Sequence, residues 1–272
     1  MPRITSSDGT GLHVKDWGSG RPVVLIHGWP LNADSWEHQA LSLAEAGFRV
    51  VSYDRRGFGR SDQPFKGYDY DTMADDLAAV IGGLDLRDVT LAGFSMGGGE
   101  VARYMSRHGS NRIAKAVLVS SIAPFMGQKD NPDGVPDEVF EGMKKGVRTD
   151  RAGFLKEFFN DFVGQGTKDG GTSEAARHWM WSMAMMASPK ATLDCIDAFA
   201  KTDLRGDMAA FDVPTLVVHG TGDKIVPFEI SGKRASEMVK GATLKTYEGG
   251  PHAVTATHAG QLSHDLVAFA KG

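Results

Sequence analysis

Gly93-Phe94-Ser95-Met96-Gly97 follows the short apolar run Val89-Thr90-Leu91-Ala92 and opens a helical pattern that reaches about His108. Strand, sharp turn, helix is the setting in which a serine hydroxyl is lifted clear of a sheet as a nucleophile. Glycines flank such a serine because the turn is tight, and a side chain at either position would crowd a residue held in strained backbone geometry. The helix behind it aims its N-terminus at negative charge developing on a substrate. Read alone, the five residues also fit a Gly-rich helix entry with Ser95 as a mere N-cap. The strand before and the helix after favour the nucleophile.

A nucleophilic serine needs a base, and the base needs an orienting acid. Downstream, Val213-Pro214-Thr215-Leu216-Val217-Val218-His219 reads as a buried strand with proline at its entry. It ends in Gly220-Thr221-Gly222-Asp223, followed by Ile225-Val226-Pro227. Thr243–Tyr247 reads as the next strand and ends in Glu248-Gly249-Gly250-Pro251-His252. Asp223 and His252 therefore lie just past strand ends, as Ser95 does. Taken singly, Asp223 fits a turn former and His252 a surface loop residue. In the order Ser, Asp, His, with the elbow already present, they match the triad order of α/β-hydrolases. The competing acids Asp203, Asp207 and Asp212 precede the strand instead of following it. His258 and His264 are six apart and do not share a helix face as a metal pair would.

Val23-Val24-Leu25-Ile26 is a continuous apolar strand leading into His27-Gly28-Trp29-Pro30. In α/β-hydrolases the loop at this place supplies one backbone N–H to an oxyanion hole, and the residue after the nucleophile supplies the other. Here those are Trp29 and Met96. His27 fits a buried imidazole bracing the loop better than a base.

The segments His27-Gly28-Trp29-Pro30, Asp54-Arg55-Arg56-Gly57-Phe58-Gly59-Arg60-Ser61, Gly93–Gly99 and Pro251-His252 together resemble the cofactor-free bacterial haloperoxidase and aryl esterase group of the α/β-hydrolases. The resemblance runs from about Gly11 to Phe269 and is weakest between Gln128 and Arg205. It implies a serine-esterase mechanism with no metal, haem or other cofactor. It also implies perhydrolysis of short carboxylic acids with hydrogen peroxide, and a homo-oligomer, either trimer or hexamer. Ala253 departs from the group, where glycine more often follows the histidine; a methyl there narrows the pocket mouth without touching the triad. Pro30 resembles the perhydrolysing branch. Proline restricts the residue before it, so Pro30 sets where the Trp29 carbonyl points and whether it can accept a hydrogen bond from peroxide.

Along the 272 residues, strands and helices alternate as in a mostly parallel, doubly wound α/β-hydrolase sheet forming one domain, residues 1–272. Residues 1–17 read as a hairpin. Helices are expected near 36–46, 70–84, 96–108, 231–240 and 257–270. Residues 123–212 break the alternation and read as a helical cap inserted within the domain. Phe154, Phe158 and Phe162 recur there at helical spacing, and Met180, Trp181, Met183, Met185 and Met186 follow. Soft and aromatic side chains suit a loosely shape-selective apolar pocket. Trp29, Pro30, Phe125, Phe158, Phe162 and Ile225 are the expected substrate contacts. No charged residue stands out among the cap's apolar groups, which disfavours highly charged acyl substrates.

Composition narrows the alternatives. A formal charge of −4 removes the electrostatic case for nucleic acid. Neither an apolar run of about 18 residues nor a signal-like N-terminus is present, so a cytoplasmic protein without a membrane segment is expected. The single cysteine, Cys195, sits in an apolar-periodic context and reads as a packed thiol. Gly97–Ala102 matches a dinucleotide fingerprint, but inside the helix and without the acid that would hold a ribose. Dehalogenases and epoxide hydrolases need a carboxylate at the elbow. Lactamases and C–C bond hydrolases share the serine elbow and stay open, as does a non-catalytic receptor that keeps the pocket. The reading that fits best is hydrolysis of small aryl or short-acyl esters through an acyl-enzyme.

Overall fold

The computed structural model describes residues 3–272. Its frame is an eight-stranded sheet in the order β1-β2-β4-β3-β5-β6-β7-β8. The central strands are β3 (Pro22–Ile26), β4 (Arg49–Tyr53), β5 (Val89–Phe94), β6 (Ile113–Val119) and β7 (Thr215–Gly220). They are nearly continuous runs of apolar and β-branched residues, because parallel strands covered by helices bury both faces. β1 (Arg3–Thr5) and β2 (Gly11–Gly18) pair antiparallel with each other, and β2 with β4; the other pairings are parallel. The hairpin expected over residues 1–17 is thus present from Arg3 onward, and its first two residues lie outside the described ones. β8 (Thr243–Tyr247) forms the far edge and is exposed along most of its length.

Around this sheet, α1 (Glu37–Glu45) packs on α9 (Ala259–Lys271), and α2 (Tyr70–Gly83) on α3 (Met96–His108). Three helices lie between β6 and β7: α4 (Asp137–Phe162), α5 (Glu174–Met185) and α6 (Pro189–Lys201). Ser173 and Ser188 cap the last two through their side-chain oxygens, and Pro189 occupies the first turn of α6. α4 breaks at Asp150, whose φ of −153° is not helical. Its carboxylate accepts the Gly153 N–H at 2.9 Å, so Asp150 acts as a fresh N-cap for the half-helix that carries Phe154, Phe158 and Phe162. Past β7, α7 (Gly232–Met238) precedes β8. The helix expected over 257–270 is present as α9, and a separate short piece, α8 (Val254–Thr257), precedes it, the two divided at His258, whose backbone leaves the helical region.

Parallel pairing brings the carboxyl ends of neighbouring strands level. Ile26 pairs with Gly93, Phe94 with Val119, and Gly220 with Tyr247. The loops that leave these strands therefore open on one rim of the sheet, where ligands bind in folds of this kind.

Candidate active site

Ser95 sits between β5 and α3 with φ 55° and ψ −118°, a left-handed conformation that non-glycine residues seldom adopt. The turn is closed by bare backbone. A Cβ on Gly93 would overlap the Gly97 carbonyl oxygen, and one on Gly97 would lie 2.5 Å from the Ile26 carbonyl oxygen. This crowding holds the hydroxyl on the rim. Ser95 Oγ is 2.9 Å from His252 Nε2, and His252 Nδ1 is 2.7 Å from Asp223 Oδ2. All three side chains are buried. The structure thus brings together three groups that are up to 157 residues apart in the chain.

The acid is held from several sides. Asp223 Oδ1 accepts the N–H groups of Ile225 at 2.9 Å and Val226 at 2.8 Å. Burial opposes its charge, but His252 and then His219 beside it hold the carboxyl well below the usual carboxylate range. The loops of acid and base are tied together: Thr221 and Gly222 donate to Tyr247 and Gly250, at 2.9 and 3.0 Å. The His252 ring lies between Phe94 and Phe162, at centroid distances of 5.2 and 4.9 Å. The Ala253 N–H donates to the Phe162 carbonyl at 3.0 Å, joining the histidine loop to the end of α4.

The other three acids considered are engaged elsewhere. Asp203 pairs with Arg205, Asp207 lies 3.1 Å from Arg103, and Asp212 accepts from Ser110 at 3.0 Å.

Trp29 and Met96 flank the serine, and neither N–H has an acceptor among the described residues. The loop carrying Trp29 is braced from below. His27 is fully buried; its Nε2 accepts the Arg55 N–H at 3.0 Å, so the proton sits on Nδ1, 2.9 Å from the Gly28 carbonyl. Burial, and then the Arg55 charge, hold this imidazole well below its usual pKa. Arg55 also donates to the His27 carbonyl at 2.8 Å and to Glu100 of α3 at 2.7 Å. A buried ion pair therefore links the Trp29 loop to the helix that begins at Met96.

A cavity of about 460 Å³ opens above Ser95 and His252. Trp29, Phe158, Phe162 and Ile225 line it. Phe154 and Phe199 add two more rings, and Met126 and Met143 the thioethers. Two expected contacts are corrected. Phe125 does not line the cavity: it is buried, with the Arg205 guanidinium 5.2 Å from its ring, and Met126 beside it in the chain faces the space instead. Pro30 is buried outside the lining, after a cis Trp29–Pro30 peptide, and can act on a substrate only through the backbone. The methionine run of α5 is also elsewhere. Met180 and Met183 line a separate small cavity with Leu31 and Thr255. The expectation of no charge in the pocket fails as well: Glu157 and Asp161, one turn apart on α4, and Lys224 stand in its wall. Helical spacing leads from Phe154 and Phe158 to the cavity face, but the exposed residues beside them carried no signal of facing it.

Cys195 is fully buried, and burial pushes its thiol up to about 12, so it is a packing group. Among the described residues, no group of three or more His, Cys, Asp or Glu side chains is placed to hold a metal ion.

Comparison with known proteins identifies the family. A family model for the alpha/beta hydrolase fold matches residues 21–259. The chain is 45% identical to a non-heme chloroperoxidase of Kitasatospora aureofaciens, over 99% of both chains. It is 41% identical to a bifunctional esterase/perhydrolase of Acinetobacter calcoaceticus, again over 99% of both. The crystal structure of a bromoperoxidase from Bacillus anthracis superposes with a TM-score of 0.95 at 46% identity, covering 100% of both chains.

Proposed function

This chain belongs to the alpha/beta hydrolase fold family, among relatives named as non-heme haloperoxidases, and on that premise we propose that it cleaves small carboxylic esters through an acyl-enzyme. The observation that carries the reading is the unbroken contact from Ser95 Oγ to His252 at 2.9 Å and on to Asp223 at 2.7 Å, at the floor of an apolar cavity. Ser95 attacks the acyl carbon while His252 Nε2 takes its proton. Asp223 orients the imidazole and stabilises its cation. The oxygen of the tetrahedral intermediate turns toward the free N–H groups of Trp29 and Met96, each worth about 3 kcal/mol of barrier. His252 then returns the proton to the departing alkoxide or phenoxide. In the second half, His252 removes a proton from water, the oxygen attacks the acyl carbon, and the carboxylic acid leaves as Ser95 regains its proton.

Hydrogen peroxide can take the place of water in that second half, and the product is then a peracid. A short carboxylic acid can load the serine in the reverse of hydrolysis, so acid and peroxide suffice as substrates. The peracid oxidises halide in solution, with no halide site on the protein. The esterase/perhydrolase relative supports this extension. The lining of rings and thioethers favours aryl or short-acyl groups. In the same reading, residues 123–212 act as a cap within a single domain, and the protein works in the cytoplasm as a homo-oligomer. Light scattering on the purified protein tests the last point.

The decisive experiment is a panel of p-nitrophenyl esters of rising acyl length, with and without peroxide, scored for p-nitrophenol and peracid. Turnover of acetate to butyrate esters, with peracid formed when peroxide is added, is the expected result. Tight binding of these esters without release of p-nitrophenol would instead favour a receptor.

A further inference from the structure

His219 is the next-to-last residue of β7, four residues before Asp223, and is fully buried. Its Nε2 lies 2.9 Å from the Val226 carbonyl oxygen and 3.2 Å from Asp223 Oδ2. Both of those atoms only accept, so Nε2 carries the proton. Nδ1 has no hydrogen-bond partner among the described residues. It faces the backbone at Gly232, where a Cβ would come within 2.5 Å of it. A proton on Nδ1 would have no acceptor there, so the packing favours the tautomer with its N–H on Nε2. Its N–H points best at the Val226 carbonyl, and the carboxylate takes the second branch.

We propose that His219 is a positioning residue of the triad, fixing the Asp223 carboxylate in the orientation that His252 requires. The inference rests on the reading of Ser95, His252 and Asp223 as the catalytic groups. The ring closes a small circuit: Val226 gives its N–H to Asp223 Oδ1 at 2.8 Å and receives the His219 N–H on its carbonyl. Oδ1 is thus held by backbone, and Oδ2 lies between two imidazoles, at 2.7 Å from His252 and 3.2 Å from His219. Without His219 the carboxylate can turn, and Oδ2 is left to His252 alone. A less satisfied carboxylate stabilises the imidazolium more strongly, so the base would stay protonated to higher pH. The titratable groups facing the circuit are Asp223 and His252, with Lys224 next in the chain on the exposed side. The elements packed on the His219 ring present uncharged groups: Thr246 paired with it on β8, Gly232 on α7, and the Phe228 ring at 5.8 Å.

The test compares pH profiles of kcat/KM on p-nitrophenyl acetate, together with melting curves, for wild type, His219→Leu, His219→Gln and His219→Asn. The glutamine amide reaches the position of Nε2, whereas the asparagine amide stops short of it. His219→Leu and His219→Asn should lower kcat roughly tenfold, about the worth of one hydrogen bond, with little change in KM. Their acid limb should move up by about half a pH unit, while His219→Gln keeps the wild-type limb. If His219→Leu does not fold, the Gln and Asn pair decides. An acid limb that stays put in His219→Asn, or moves equally in His219→Gln, overturns the proposal and leaves the ring a packing group. Ser95→Ala separates the premises: if it stays active, the triad reading itself fails whatever the His219 variants do.

Discussion

Across the cavity, the strand-end loops and the inserted helices meet the same substrate space in different ways. On the sheet side the acid and the bracing histidine have fixed partners. Asp223 is held by two backbone N–H groups and two imidazoles, His27 by Arg55, and the Ser95 turn by bare backbone on both sides. On the helical side, α4 and α6 offer mainly Phe154, Phe158, Phe162, Met143 and Phe199. A hydrogen bond fails with a small change of direction, whereas a ring or thioether can repack with little loss. On the proposed function, reaction geometry belongs to the sheet rim and substrate shape to the helices between β6 and β7. Substitutions on the two sides should fail differently.

Ser95→Ala should break the rim side most completely. Esterase kcat is expected to fall about 10⁶-fold, as in other triads that lose the nucleophile, with the melting temperature little changed. Half of wild-type activity in a folded variant would end the serine mechanism. Asp223→Asn should follow at about 10⁴-fold in kcat, since an amide at that position favours the wrong imidazole tautomer. Steady-state kinetics on p-nitrophenyl acetate measure both.

Pro30→Leu probes the backbone alone, because the ring does not reach the cavity. If the Trp29 carbonyl accepts a hydrogen bond from peroxide, the ratio of perhydrolysis to hydrolysis should drop by roughly tenfold. An unchanged ratio in acetate buffer would mean that Pro30 does not steer the choice between peroxide and water. On the helical side, Phe158→Leu should leave kcat on acetate esters within a few-fold of wild type and shift preference toward longer acyl chains, since the cavity gains space. A collapse of activity on every ester would mean that α4 also carries reaction geometry.

The smallest effect concerns pH. His27 is held neutral, below its unfolded value of about 6.5, so its contribution to stability is full above that pH and fades as pH falls. Melting temperature should decline below about pH 6, and less steeply in His27→Gln. Equal slopes would place the acid sensitivity in other groups.

Much of the rim was legible because its signals are local. Glycines around Ser95, an acid in a Gly turn and a histidine after Pro251 each follow a buried strand within a few residues. The cavity wall was legible only where a period ran through it, as at Phe154, Phe158 and Phe162. Neighbours such as Phe125 and Met126 point opposite ways, and nothing in their spacing says which one meets the substrate.

By itself, then, the sequence determined which groups stand at which strand ends, because turn chemistry and strand burial act over a handful of residues. Only the tertiary structure decided which of them touch. The 2.9 Å contact of Ser95 with His252 spans 157 residues and depends on the register of parallel strands. The second imidazole on Asp223 was hidden for the same reason: His219 reads as one more residue of a buried strand. Packing against Gly232 and Val226 places its Nε2 against the Val226 carbonyl and within 3.2 Å of the carboxylate. Side-chain direction at such places follows from the close packing of distant segments, which no local pattern encodes.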